Sequence, residues 1–196
     1  ILAAGLITKL VTRSWRWAVI AAAVLASTPM WIGHGMFNVK DLPVGSGYTL
    51  ATVGFVAVLG QGYGNRALAR VGVIAAVVAG VVLAVGTRPA SGLPIAITGI
   101  AIGVITAVYY MRERAQGARS IVAPRALDPI LGLVFGYLAL VAIYPNGFIN
   151  PFRLVKETLL ISGRFPVIDP ELTNGVWLSQ PPPWFYLPTW FGAQLT

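Results

Sequence analysis

The sequence has no cysteine, a single histidine (His34) and only 6 acidic residues among 196. Without thiols there are no disulfides and no thiolate metal centres, and the redox compartment is unreadable. One imidazole and no Gly-x-Ser-x-Gly elbow exclude a serine–histidine–carboxylate triad. There is no P-loop, and no paired-glycine dinucleotide motif follows a strand. Gly60, Gly62 and Gly64 read as a turn rather than a phosphate cradle. Charge is scarce as well: 10% of the residues carry it, against roughly 25% in soluble domains. The 14 basic residues give a net charge of +8, yet they are scattered between apolar runs and form no stripe. That distribution argues against a nucleic-acid partner.

What is abundant is apolar. Hydrophobic residues make up 57% of the chain and mean hydropathy is +0.77. Gly (22) and Pro (14) are both frequent, as transmembrane bundles tolerate. Residues 1–11 read as the tail of an apolar helix, and complete spans are expected over 17–32, 44–62, 71–86, 92–110 and 127–144. A further apolar run opens after Pro183. The expectation is therefore an all-α, polytopic transmembrane helix bundle, a single domain over 1–196, with about five complete spans, a partial span at each end and the lipid bilayer as its solvent. Opening on Ile1 and closing inside an apolar run, it reads as an internal piece of a longer membrane protein. No long repeat is visible. Gly99-x-x-x-Gly103 and Gly132-x-x-x-Gly136 permit close helix packing without saying anything about chemistry.

Sidedness follows from the loops. Those near 9–16, 62–70 and 111–128 hold Lys9, Arg13, Arg16, Arg66, Arg70, Arg112, Arg114, Arg119 and Arg125. The opposite side holds Lys40, Arg88, Arg153, Lys156 and Arg164. The positive-inside rule makes the first side cytoplasmic and turns the 34–43 loop, the Arg88 turn and segment 145–183 outward in a cytoplasmic membrane. Within that segment, Phe152, Val155, Leu159 and Leu160 recur at helical spacing between Pro151 and Gly163, which predicts an interfacial amphipathic helix over 151–163. Residues 164–183 read as an irregular loop.

The candidate site is the polar island His34-Gly-Met-Phe-Asn-Val-Lys-Asp-Leu-Pro43 between two apolar runs. Ionisable groups kept at a membrane face point to function. Asp41 is either an N-terminal helix charge favoured by the dipole or a carboxylate that holds a metal ion or orients a sugar-phosphate donor. Lys40 either neutralises a phosphate or snorkels. His34 is either a metal or hydrogen-bond ligand or a structural residue, and a divalent metal shared by Asp41 and His34 stays open. Asn38 suits the loop backbone better than a substrate. Arg88, between two apolar runs read as short, either binds a lipid phosphate through paired N–H donors or snorkels to headgroups. Trp184, Phe185 and Tyr186 read as an aromatic belt or as the wall of a lipid groove.

The run Pro29-x-x-x-Gly-His-Gly-x-Phe-Asn-x-Lys-Asp-x-Pro43 resembles the GHxxFNPKDxP pattern of GT-C fold membrane glycosyltransferases of family 39, which include protein O-mannosyltransferases and lipid A aminoarabinose transferases. Val39 stands where that pattern has proline. Gly86-Thr-Arg-Pro-Ala-Ser-Gly-Leu93 resembles the family's TK/TR-x-x-Gly-Leu turn. Asn150-Pro-Phe-Arg153, Ser162-Gly-Arg-Phe-Pro166 and Pro183-Trp-Phe-Tyr-Leu-Pro188 resemble its outer loop. The resemblance implies an inverting enzyme that moves a sugar from a polyprenyl-phosphate carrier to an acceptor on the extracytoplasmic face. Asp41 would match the second acidic position and Arg88 the residue approaching the carrier phosphate. Lys40, His34 and Asn38 would lie nearby, and Trp184 and Tyr186 would line the lipid groove. The catalytic base would come from an outer loop preceding this sequence. Two competing readings stand beside it: a transporter or flippase of an anionic lipid, and a non-catalytic subunit held to other membrane proteins.

Overall fold

A computed structural model describes residues 1–29, 32–33, 40–59, 67–117, 123–144, 149–150, 152–153, 156, 160, 171–173 and 176–178. The chain is a helical membrane bundle. Its helices are α1 (Leu2–Thr12), α2 (Trp15–Ser27), α3 (Asp41–Leu59), α4 (Ala67–Thr87), α5 (Gly92–Ala115) and α6 (Ala123–Ile143), with a 3-10 turn, Pro89–Ser91, leading into α5. Among the described residues four segments are long and apolar enough to cross a bilayer: α3, α4, the 3-10 turn with α5, and α6 from Arg125. The 21 residues of α4 rise about 32 Å, the depth of a hydrocarbon core.

The helices differ from the expected spans at their ends. The expected span 17–32 appears as α2, whose 13 residues rise about 20 Å and do not cross alone. α1 and α2 form a tight pair: Arg13 turns the chain in the left-handed conformation (φ 57), and the Lys9 ammonium donates to its carbonyl at 2.8 Å. The run expected over 71–86 is longer than expected and starts at Ala67, so Arg70 stands inside a helix rather than in a turn. Ala67-Leu-Ala-Arg70 is a string of strong helix formers, and propensity carries the helix past the hydropathy boundary. Arg112 and Arg114 likewise occupy the last turn of α5 instead of a loop. α4 is therefore a full-length span, and a short span cannot be what positions Arg88.

Packing centres on α4. Ala51 and Phe55 of α3, Val77, Val81 and Ala84 of α4, Ile95 of α5 and Leu140 of α6 form the core. Glycines set the spacing. A Cβ on Gly80 would stand 2.6 Å from both the Ala51 nitrogen and the Gly47 oxygen, so the α3 and α4 backbones are nearly in contact there. Gly132 and Gly136 of α6 receive Val77 and Val81, which makes the spacing noted in the sequence a packing motif. Gly99 packs on Phe55, but nothing lies within 4 Å of a Cβ on Gly103. Large apolar side chains face outward, Leu68 (85% exposed) and Ile100 (67%) among them, as a lipid-facing surface requires.

Residues Ile1–Thr158 form one compact unit and Leu159–Thr196 a second. In the second, strands β1 (Glu171–Thr173) and β2 (Val176–Leu178) pair antiparallel, with Leu172 opposite Trp177. This hairpin lies where an irregular loop was expected. Asn174-Gly175, between the strands, is the strongest short hairpin signal a sequence carries. The amphipathic helix expected over 151–163 falls mostly outside the described residues.

Candidate functional site

At one end of the bundle the chain brings together the two polar segments singled out in the sequence. Asp41 opens α3, with the Val44 amide bonded to the Lys40 carbonyl, so the carboxylate sits in the first helical turn where the dipole favours it. Arg88 follows the last residue of α4. Pro89 bars the α region to the residue before it, and Arg88 is extended (φ −135, ψ 101). Its backbone is fixed on both sides. The Arg88 amide donates to Ala84, and its carbonyl accepts from the Ser91 amide at 2.9 Å and the Ser91 hydroxyl at 2.7 Å.

This local fold aims Arg88 at Asp41. A guanidinium nitrogen lies 2.7 Å from the carboxylate, an ion pair within charge-assisted hydrogen-bond distance. Both partners meet solvent: the Arg88 side chain is 52% exposed and that of Asp41 38%. Two further contacts brace the same end. The Tyr48 and Thr98 hydroxyls lie 2.7 Å apart between α3 and α5, and the Tyr144 hydroxyl donates to the Gly86 carbonyl. Asp41 is therefore both a charge at a helix N-terminus and the partner of an arginine. Lys40 is exposed beside it. His34, Asn38, Trp184 and Tyr186 lie outside the described residues. Among the described residues no group of three His, Cys, Asp or Glu could hold a metal ion, and the Asp41 carboxylate is engaged by Arg88.

Sequence reasoning missed the charge pair at the opposite end. Asp128, on α6, is fully buried, and Arg70 of α4 grips both its oxygens at 2.8–3.2 Å. A carboxylate one residue inside an expected span was itself the available signal. A cavity of about 610 Å³ opens toward this same end, lined by Phe55 and Val58 of α3, Gly103 and Tyr110 of α5, and Pro129 and Ile130 of α6 among others. Neither Asp41 nor Arg88 lines it. Comparison with protein-family models, curated proteins and solved structures finds no match to this chain.

Proposed function

We propose that the chain is the membrane bundle of a glycosyltransferase that moves a sugar from a polyprenyl-phosphate carrier to an acceptor on the extracytoplasmic face. The observation that supports this most is the meeting of Asp41 and Arg88. They come from two separate segments resembling glycosyltransferase motifs, and they stand 2.7 Å apart at one end of the bundle. The sidedness is part of the proposal. Leu10 of α1 packs at the end where Ala69 and Val73 lie, so Lys9 and Arg13 join Arg70, Arg112, Arg114 and Arg125 at the opposite end. That basic end faces the cytoplasm by the positive-inside rule, and Asp41 and Arg88 face outward.

The chemistry follows from the pair. A half-exposed guanidinium held by one carboxylate can take a phosphate through its remaining N–H donors, and Arg keeps its charge while doing so. As the glycosidic bond to the carrier breaks, negative charge grows on the leaving phosphate, and a fixed cation there stabilises it. Until the carrier arrives, Asp41 neutralises Arg88. The general base that removes the acceptor's hydroxyl proton comes from outside residues 1–196, as the resemblance implies.

The test is binding of a polyprenyl phosphate against the uncharged polyprenol of equal length, to the protein in nanodiscs, read by native mass spectrometry. The phosphate should bind roughly tenfold more tightly, the scale of one charge-assisted contact. Arg88→Ala should erase the preference, and Asp41→Asn should keep it. A wild-type protein that does not distinguish phosphate from alcohol overturns the reading. The pair would then be a helix-end clamp, and a non-catalytic membrane subunit would replace the enzyme.

A further inference from the structure

The cavity at the basic end has no part in this reading, and its shape and surroundings identify an occupant. Its wall on α5 runs from Ala96 to Tyr110, a rise of roughly 21 Å, about two thirds of a ~30 Å hydrocarbon core. It is therefore deep enough to take most of an acyl chain. Its volume of about 610 Å³ falls within the roughly 300–1,000 Å³ of small-molecule sites. Its rim residues Ile100 and Ile130 are 67% and 53% exposed on the outer surface of the bundle, so the space opens sideways, where lipid lies. Gly103 leaves the wall open, since a Cβ there meets nothing within 4 Å.

The two ends of the cavity differ in chemistry. Toward mid-bundle the lining is Ala96, Gly99, Ile102 and Leu133, with no polar side chain. At the other end Tyr110 lines the wall, and the Arg114 guanidinium donates to its hydroxyl at 3.2 Å. Arg114 continues the cavity face of α5 one turn beyond Tyr110, and Arg125 opens α6 alongside, whereas Arg112 lies on the opposite face of α5. A largely apolar slot about 21 Å deep, ending at an aromatic hydroxyl and two arginines, Arg114 and Arg125, matches an acyl chain below an anionic headgroup.

We propose that this cavity is a binding site for an anionic phospholipid of the basic-side leaflet, with one acyl chain between α3, α5 and α6 and its phosphate beside Arg114 and Arg125. The site is independent of the Asp41–Arg88 end and stands whether or not the chain transfers sugars.

The experiment titrates delipidated full chain in detergent with phosphatidylglycerol, or with phosphatidylcholine of the same acyl chains, and reads bound lipid by native mass spectrometry. Wild type should retain one phosphatidylglycerol per chain with about tenfold preference over phosphatidylcholine, the scale expected for juxtamembrane arginines. Gly103→Leu fills the slot where the backbone has room for a side chain, and should weaken binding of both lipids at least fivefold while leaving the unfolding midpoint unchanged. Arg114→Gln with Arg125→Gln should remove the headgroup preference but leave phosphatidylcholine binding as it was. Equal binding of the two lipids by wild type overturns the proposal. So does undiminished phosphatidylglycerol binding by Gly103→Leu, which would place the lipid elsewhere, or a self-associated wild type that dissociates on Gly103→Leu, which would make the occupant a second copy of the chain.

Discussion

The two ends of the bundle carry the same chemical pair in opposite settings. At the basic end Arg70 holds Asp128 with three hydrogen bonds, and Asp128 has no solvent exposure. At the other end Arg88 meets Asp41 through one short contact, and both side chains are half open. The low dielectric around a buried carboxylate makes a missing partner expensive, whereas water can replace either partner of an exposed pair. The first arrangement can be a fixed joint between α4 and α6. The second is suited to exchange, because an incoming anion can take the arginine with little loss to the fold. Packing follows the same division. The α3 and α4 backbones touch at Gly47 and Gly80 toward the Asp41 end and stay packed at Gly54, while toward the basic end α5 parts from α3 and α6 around a cavity.

The largest effect should come from breaking the buried joint. Arg70→Ala leaves the Asp128 charge enclosed without its guanidinium, and such losses cost roughly 3–5 kcal/mol. The Arg70 side chain is 49% exposed, so water reaching the gap should hold the cost near the lower end of that range. Replacing both residues, Arg70→Met with Asp128→Leu, should return the unfolding midpoint close to wild type, because an apolar pair of similar volume removes the buried charge altogether. A double variant as unstable as Arg70→Ala would mean that the pair does more than satisfy itself. The contrast between the two ends would then rest on something other than burial.

A smaller loss should separate the dense half from the open half. Gly80→Val drives a side chain into the Ala51 and Gly47 backbones, which cannot yield as a flexible side chain would, and overpacking of this kind costs about 1–3 kcal/mol. Gly103→Ala, in the open half, should shift stability by less than about 0.5 kcal/mol. Thermal or denaturant unfolding of the two variants in the same detergent compares them directly. Equal losses would show that the cavity wall is as tightly set as the α3–α4 contact.

These contrasts were only partly legible in the sequence. Hydropathy found α3 to α6, because a bilayer demands about twenty apolar residues per span and little else satisfies that. It missed their ends, since Ala67-Leu-Ala-Arg70 and Met111-Arg-Glu-Arg-Ala115 extend helices by propensity after hydropathy has fallen. Gly132-x-x-x-Gly136 was readable as a packing face. Gly47-x-x-x-Ala51 and Gly80-x-x-x-Ala84 have the same small-residue spacing and passed unnoticed. Spacing shows that a face is smooth but not which helix lies on it. Asp41 and Arg88 stood out because polar residues between apolar runs are conspicuous. That they touch depends on α3 and α4 running antiparallel and on Pro89 holding Arg88 extended, and neither follows from local pattern. Asp128 was hidden for the opposite reason: a single acid inside a strongly apolar span barely alters its hydropathy, although its burial is what gives it consequence.

The smallest stability effect belongs to the exposed pair, and it carries the most information about function. Asp41→Asn and Arg88→Gln should each change the unfolding free energy by less than about 1 kcal/mol, as exposed ion pairs usually do. Asp41→Asn should lose slightly more of the two, because it also removes a charge from the first turn of α3. Raising the salt concentration should shrink both differences, while the cost of Arg70→Ala should barely move, since screening acts on exposed charges and hardly on an enclosed carboxylate. Should Arg88→Gln prove as destabilising as Arg70→Ala, and as insensitive to salt, the Asp41–Arg88 contact would be a structural joint like its counterpart. An arginine committed to holding two helices together is not available to a phosphate, and the proposed carrier site would lose its physical basis.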